Sequence, residues 1–289
     1  MSAFDDTPFI LGMMNLHRQD RLSTPAALAD WLEARVDEGL TWCDHADIYG
    51  NGENERLFGE ALANRPSLRS RLKVITKADI VPATLDTSRF QVKHYDTQPD
   101  YIGQAIDRAL QRLNVERLDY FLLHRPDPLM DAEATAEALN AAVDAGKVEA
   151  LGVSNFLPAQ WRRLQGALKH PLGVNQIELS IVRSSALFDG LWDSLCLDGL
   201  KALAYSPLAG GRLLENQLGH LVNELAQDYG ASAGGIGLAW LRRIPGSPIP
   251  VVGTLREKRI QELLADAELE LDRTAWFALL EAARACRVP

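Results

Sequence analysis

Residues 118–153 read LDYFLLHRPDPLMDAEATAEALNAAVDAGKVEALGV. The mostly apolar run 118–123 is short and stops at the turn-forming HRPDP, which predicts a buried strand. Residues 131–145 carry apolar positions at helical spacing and end at Gly146, which predicts a helix with a glycine stop. Residues 150–153 form a second apolar run, so the stretch reads strand, helix, strand, the repeating unit of a parallel sheet. The same alternation extends in both directions. Strands are predicted at 9–14, 41–46, 72–76, 173–178, 201–205 and 249–252, several of them apolar on both faces as helix-covered parallel strands are. Between them, Thr24 and Pro25 open a helix to about residue 38, stopped by Gly39. Further helices are predicted at 54–63, 101–113, 158–168, 186–195, 218–228 and 257–265, with a last one at 273–285. Eight repeats of strand then helix, with no break in composition, predict an α/β fold. It is a single (β/α)8 TIM barrel spanning residues 1–289, with an additional C-terminal helix. An open doubly wound sheet is the alternative arrangement of the same elements. The longest connection, 77–99, follows the third strand, and loops of that length commonly form lids or walls.

Composition narrows the function classes. The chain has 289 residues, 47% hydrophobic and 24% charged, with 21 Gly and 14 Pro. That is ordinary globular usage and excludes disordered, collagenous and coiled-coil classes. No apolar run approaches the ~18 residues of a membrane-spanning helix. The first ten residues, MSAFDDTPFI, hold two acids and no base, which argues against a secretory signal. Cys43, Cys196 and Cys286 are far apart, with no CxxC, so a reducing cytoplasm is expected. With 30 Lys and Arg against 39 Asp and Glu, the net charge is −9, which disfavours nucleic acid and anionic membranes as partners. A monomer or weak oligomer acting on a small molecule is expected.

In such a barrel the working residues sit at the C-terminal ends of the strands. The second strand runs into WCDHADIYG (42–50), the third into ITK (75–77) and the fourth into LLHRPD (122–127), so Asp44, Tyr49, Lys77 and His124 converge on one rim. A free phenol titrates near ~10. A nearby ammonium favours the phenolate. A carboxylate such as Asp44 would hold Lys77 charged and in place, and a neutral imidazole from His124 would orient a carbonyl oxygen. Together these make a proton donor beside a polarised carbonyl. Singly, each has a plain structural explanation: a strand-end Asp often caps a helix, and a buried His is usually just hydrogen-bonded. Their convergence from three neighbouring strands is what carries the inference.

The later strand ends suggest a second partner. Ser154, Asn155 and Gln176 are neutral hydrogen-bonders suited to a carboxamide. Tyr205 offers a ring for stacking, and Gly210 and Gly211 let backbone approach a phosphate. The segment GTLREKR (253–259) opens a helix after the eighth strand, where barrels commonly bind phosphate. Arg256, Lys258 and Arg259 add cations there, unless they merely pair with Glu257 and Glu262 on a solvated face.

The series DHADIYG, ITK, LLHRPDP, GVSNF, NQIE, YSPLAGG and IPVVGT…R, over about residues 8–265, resembles the aldo-keto reductases, most closely bacterial members with DHADIYG and LLHRPDP. The resemblance implies a TIM-barrel, metal-free NADPH (NADP+)-dependent oxidoreductase that reduces aldehydes or ketones to alcohols. It assigns catalysis to Asp44, Tyr49 as general acid, Lys77 and His124. It assigns cofactor binding to Gly12, Met13, Ser154, Asn155, Gln176, Tyr205, Ser206, Leu208, Gly210, Gly211, Gly253, Thr254, Arg256, Arg259 and Glu262. The sequence departs from the family pattern at Gly253 and Leu263 in the adenine-side segment. It also departs at Gly12-Met13-Met14-Asn15, which implies a bulkier floor near the nicotinamide, and in a short N-terminus that leaves little room for the family's bottom hairpin. His45 points away from Asp44 by strand alternation and is read as structural.

The substrate walls are expected from the early loops. His17, Trp42, His94 and Tyr95 are the substrate candidates, with Leu16, Ile48, Phe90 and Phe156 as neighbours, a lining suited to a small hydrophobic carbonyl. Two other functions compete. A metal-dependent barrel hydrolase could use Asp44, His45, Asp47 and His124, but neither HxH on the first strand nor HExxH is present. A redox sensor or regulatory subunit would bind cofactor with little turnover. The Gly235-Ile236-Gly237 pair lies in a helical stretch with no strand before it and no third Gly in place, so it is read as structural and a short-chain dehydrogenase is disfavoured.

Overall fold

The computed structural model describes residues 4, 7–86 and 88–287. Residues 1–3, 5 and 6, on which the signal and hairpin expectations partly rest, lie outside the described residues, as do 87, 288 and 289. Eight strands close into a parallel barrel in sequence order: β1 (Ile10–Gly12), β2 (Trp42–Asp44), β3 (Lys73–Ala78), β6 (Leu118–Leu123), β7 (Val148–Ser154), β8 (Leu172–Glu178), β9 (Lys201–Tyr205) and β10 (Ile249–Val252). Two further short strands, β4 (Ile80–Val81) and β5 (His94–Tyr95), form an antiparallel ribbon within the long connection after β3. The chain divides into two compact units, residues 11–175 and residues 1–10 with 176–289.

In the first unit the helices are α1 (Pro25–Asp37), α2 (Glu53–Asn64), α3 (Pro99–Leu113), α4 (Ala132–Asp144) and α5 (Pro158–Ala167). Their starts follow from local chemistry. Thr24 Oγ1 accepts from Ala27 N at 3.3 Å ahead of Pro25, and Asp131 Oδ1 accepts from Glu133 N at 3.1 Å. Register fixes the strand ends: Gly12 pairs with Asp44, Asp44 with Ile75, and Lys77 with Leu122. Several strand bounds shift, with β2 ending at Asp44 and β7 spanning Val148–Ser154. β3 runs to Ala78, which places Lys77 inside the strand. β1 stops at Gly12, and residues 13–18 coil into a 3₁₀ turn. The cause is tertiary: the Asn54 side-chain amide donates to Met13 O at 2.8 Å and Met14 O at 3.1 Å, taking both carbonyls.

The second unit holds α6 (Leu191–Asp198), α7 (Asn216–Asp228), α8 (Ala233–Arg242), α9 (Glu257–Ala265) and α10 (Arg273–Arg284). The helix expected at 186–195 is instead a 3₁₀ turn at Ser185–Leu187 followed by α6, divided by Gly190 with φ 85°. The additional C-terminal helix is α10. It is clasped to α8 by Trp240 and Trp276, whose rings stack at 4.7 Å and 3°. Each indole N–H of the pair donates to the other residue's carbonyl, at 3.2 and 2.9 Å. No helix among the described residues is long and apolar enough to cross a membrane.

Candidate active site

Lys77 is fully buried in β3. Its Nζ donates to Asp44 Oδ1 at 2.6 Å and to His45 O at 2.8 Å. Burial pulls the ammonium pKa down, and the Asp44 carboxylate opposes that pull. Past β2 the chain stays tied to β3, with Asp47 N donating to Lys77 O at 2.9 Å, and then turns in a 3₁₀ segment, Tyr49–Gly52. That places the half-buried Tyr49 ring 5.3 Å from Lys77 Nζ. His124 follows β6 and is held by its backbone N–H to Ala78 O at 3.0 Å. Its ring stands edge-on to Tyr49, centroids 6.1 Å apart and planes at 83°. Burial, reinforced by the Lys77 charge, holds the His124 pKa well below the usual imidazole range, so the ring is neutral at neutral pH. The four rim candidates are thus together in one unit: an ammonium against a phenol ring, an imidazole edge beside the phenol, and a carboxylate fixing the ammonium.

His45 lies elsewhere. It faces α2, edge-on to Phe58 at 4.6 Å and 67°, and burial pulls its pKa down to about 3.

A second buried polar group surrounds Glu55 and Asp47, with little local signal in the sequence. Glu55 is fully buried, accepts from Thr76 Oγ1 at 2.6 Å and stands 3.4 Å from Arg112 Nη1. Burial and the neighbouring Glu55 push the Asp47 carboxyl up to about 7. Asp79, also buried, accepts the Arg125 backbone N–H at 3.0 Å and is raised well above its usual value by burial. Glu55 opens α2 among charged residues that read as a solvated face, so only the Asp47 in DHADIYG offered a signal. No group of three His, Cys, Asp or Glu side chains spaced for a metal ion occurs among the described residues.

The substrate candidates separate. His17 is exposed in the turn after β1, its backbone N–H donating to Asn54 Oδ1 at 3.1 Å. His94 and Tyr95 are half-buried in the ribbon, paired with Val81 and Ile80. Trp42 is buried at the start of β2, pairs in register with Lys73, and packs 5.9 Å from Tyr120 with Lys73 Nζ 5.1 Å above its ring. Phe90 is 72% exposed, while Leu16 and Phe156 are buried.

The cofactor candidates fall in both units. In the first, Gly12 ends β1 and Met13 is buried, while Ser154 ends β7 and accepts at 2.8 Å from the amide of Asn155, itself at φ 62°. In the second, Gln176 is buried in β8 and Tyr205 ends β9 beside Val251 of β10. Beyond Tyr205, Ser206 is exposed and Leu208 half-buried, and Gly210 and Gly211 lie exposed in a 3₁₀ turn with open space where side chains would be. Beyond β10, Gly253 is similarly open, Thr254 and Glu262 are half-buried, and Arg256 and Arg259 are exposed at the start of α9. Lys258 reaches Glu262 at 4.0 Å, so part of that face does pair within its helix. Open glycine backbone and exposed guanidiniums at a helix start fit the phosphates of a dinucleotide.

Residues 8–283 match the model of the aldo/keto reductase family. A 6-dehydroglucose reductase of Agrobacterium fabrum is 36% identical over 90% of this chain and 89% of that protein. Oxidoreductase YdhF of Escherichia coli is 36% identical over 97% of this chain and 95% of its own. Among solved structures, the thermostable aldo-keto reductase Tm1743, in complex with the inhibitor epalrestat, superposes with a TM-score of 0.80 at 25% identity, covering 96% of this chain and 95% of that one. The chain belongs to the aldo/keto reductase family.

Proposed function

We propose that this protein is an NADPH-dependent oxidoreductase that reduces an aldehyde or ketone to the alcohol, with Tyr49 as the proton donor. The observation that carries this is the placement of the Tyr49 ring near both the Lys77 ammonium and a neutral His124 ring. A bound reduced nicotinamide supplies hydride to the carbonyl carbon. The chain's own residues handle the oxygen. His124 hydrogen-bonds it and sets its direction. Tyr49 gives it a proton as negative charge develops, and Lys77, held by Asp44, stabilises the phenolate left behind. Ser154, Asn155 and Gln176 are assigned to the carboxamide, Tyr205 to the ring, residues 206–211 to the pyrophosphate, and Thr254, Arg256 and Arg259 to the adenosine phosphate. Gly12 and Met13 would floor the nicotinamide. The three cysteines are free thiols, and we place the enzyme in the cytoplasm on that basis.

For the substrate we propose a small aldehyde, with sugar aldehydes the first to assay. Two relatives named 6-dehydroglucose reductase, from Agrobacterium fabrum and Novosphingobium aromaticivorans, are each 36% identical to this chain. The exposed imidazole of His17, lying beside the Tyr49 turn, supplies a polar wall that a purely hydrophobic carbonyl would not use.

The test is a fluorescence titration with NADPH and NADH, followed by turnover on hexose-derived and aromatic aldehydes, for the wild type and Tyr49→Phe. Loss of general acid assistance should cut turnover by about 10²–10⁴-fold with cofactor affinity intact. Undiminished turnover in Tyr49→Phe would remove Tyr49 from the role. Cofactor binding without turnover on any aldehyde would favour the sensor function.

A further inference from the structure

Tyr49 starts a turn with unusual backbone. Gly50, Asn51 and Gly52 are all left-handed, at φ 57°, 55° and 88°. Glycine adopts this conformation freely, so the left-handed cost falls on Asn51, and a non-glycine residue held there persists where its neighbours over-determine it. Here the neighbours are two side chains that occupy the space the glycines leave. A Cβ at Gly50 would stand 2.6 Å from Asn54 Oδ1, and a Cβ at Gly52 2.5 Å from Arg112 Cζ.

Neither side chain is loose. Asn54 is buried, and its amide makes three hydrogen bonds: to Met13 O at 2.8 Å, to Met14 O at 3.1 Å, and from His17 N at 3.1 Å. Arg112, reaching up from α3, stands 3.4 Å from Glu55 Oε2. Glu55 in turn accepts from Thr76 Oγ1 at 2.6 Å, one residue before Lys77. One brace therefore ties the Tyr49 turn to the loop after β1, and the other ties it to the strand that carries Lys77.

We propose that Asn54 and Arg112 are positioning residues that hold Tyr49 over Lys77 by bracing the 49–52 turn from two sides. This rests on the assignment of Tyr49 as proton donor. The placement needed is strict, because displacement of about 1 Å can cost about 10²-fold in rate. Lys77 Nζ stands 5.3 Å from the centroid of the phenol ring, so a shift of the turn moves the phenol relative to the ammonium directly.

The experiment compares Arg112→Met, Arg112→Lys, Asn54→Asp and Tyr49→Phe with wild type. It measures kcat, the Kd for NADPH by fluorescence, and the primary isotope effect with 4-deuterated NADPH. Arg112→Met should lower kcat about 10–100-fold and raise the isotope effect, as chemistry becomes limiting, with Kd unchanged. Arg112→Lys should recover part of the loss, since an ammonium can pair with Glu55 but cannot fill the flat space under Gly52. Asn54→Asp should be impaired at about pH 8 and recover in part as pH falls, because only the protonated carboxyl can donate to Met13 O, and burial against two carbonyl oxygens favours that protonated form. If Arg112→Met does not fold, the pH profile of Asn54→Asp decides. Wild-type kcat and isotope effect in both folded variants, alongside a dead Tyr49→Phe, overturn the bracing and leave the Tyr49 assignment standing. Active Tyr49→Phe overturns the assignment itself. A parallel loss of kcat and NADPH affinity in Arg112→Met would make the brace a general structural element and also overturn the proposal.

Discussion

Lys77 Nζ lies 2.6 Å from Asp44 Oδ1, and both side chains are out of solvent. Burial pulls the ammonium pKa down, and that carboxylate is the largest influence opposing the pull, with Glu55 and Asp47 adding to it. Asp44→Asn removes the largest opposition, so the Lys77 pKa falls further and the ammonium gives up its proton more readily. Turnover should drop about 10²-fold or more and recover in part as pH falls and Lys77 regains its proton. A pH profile of kcat for the variant checks this. An unchanged profile would mean that the ammonium does not assist Tyr49.

His45 provides a stability handle separate from catalysis. Its pKa is lowered by burial to about 3, against about 6.5 for a free imidazole. Between these values the unfolded chain binds the proton and the folded chain does not, so stability falls as pH drops through that window. The contribution is about 1.4 kcal/mol per pH unit. Asp47 acts in the opposite sense. Its folded pKa is raised by burial to about 7, so the folded state holds the extra proton above the unfolded value near ~4 and loses stability as pH rises towards 7. Urea unfolding of wild type and His45→Asn between about pH 4 and 7 isolates the first term, and the variant should show the shallower acid decline.

Much of this was legible in the sequence, and the misses have physical causes. Asp44, Lys77 and His124 could be placed because a parallel strand–helix repeat sends every strand's C-terminal end to one rim. Thr24, Pro25 and Asp131 announced helix starts by local hydrogen-bonding chemistry that needs no tertiary context. The early end of β1 could not be read, because it depends on an amide 41 residues away capturing Met13 O. Glu55 looked like one more charge in ENER, and its burial follows only from Thr76 and Arg112 arriving from other elements. Helix α8 lacked a strong signal because three of its ten residues are glycine. Its packing needs them: a Cβ on Gly235 would meet Asp266 Oδ2 at 2.1 Å, and one on Gly237 would meet Leu208 at 2.8 Å.

Under the proposed assignment, Arg259 contributes to cofactor choice. It is exposed in the first turn of α9, where helix dipole and guanidinium both favour an anion. A charge-assisted bond to the adenosine phosphate contributes about 1.5–3 kcal/mol. Arg259→Ala should therefore weaken NADPH about 10- to 100-fold and leave NADH unchanged, in parallel fluorescence titrations. Equal loss for both dinucleotides would move the phosphate to other residues.

Trp42 packs against Tyr120 and Lys73, and its substitution separates a packing role from a substrate role. Its indole packs beside Tyr120 at 5.9 Å and under Lys73 Nζ at 5.1 Å, two residues upstream of Asp44 on the same strand. Truncation removes a large buried ring from a close-packed layer, which typically costs about 3–5 kcal/mol. Trp42→Ala should therefore lower the unfolding free energy by that amount. Trp42→Phe, which keeps an aromatic body there, should lose less. If packing against Tyr120 and Lys73 is the whole role of the ring, KM for the aldehyde should match wild type in both folded variants. Steady-state kinetics beside urea unfolding decides the matter. A KM that shifts between aldehydes in Trp42→Phe would return the indole to the substrate wall.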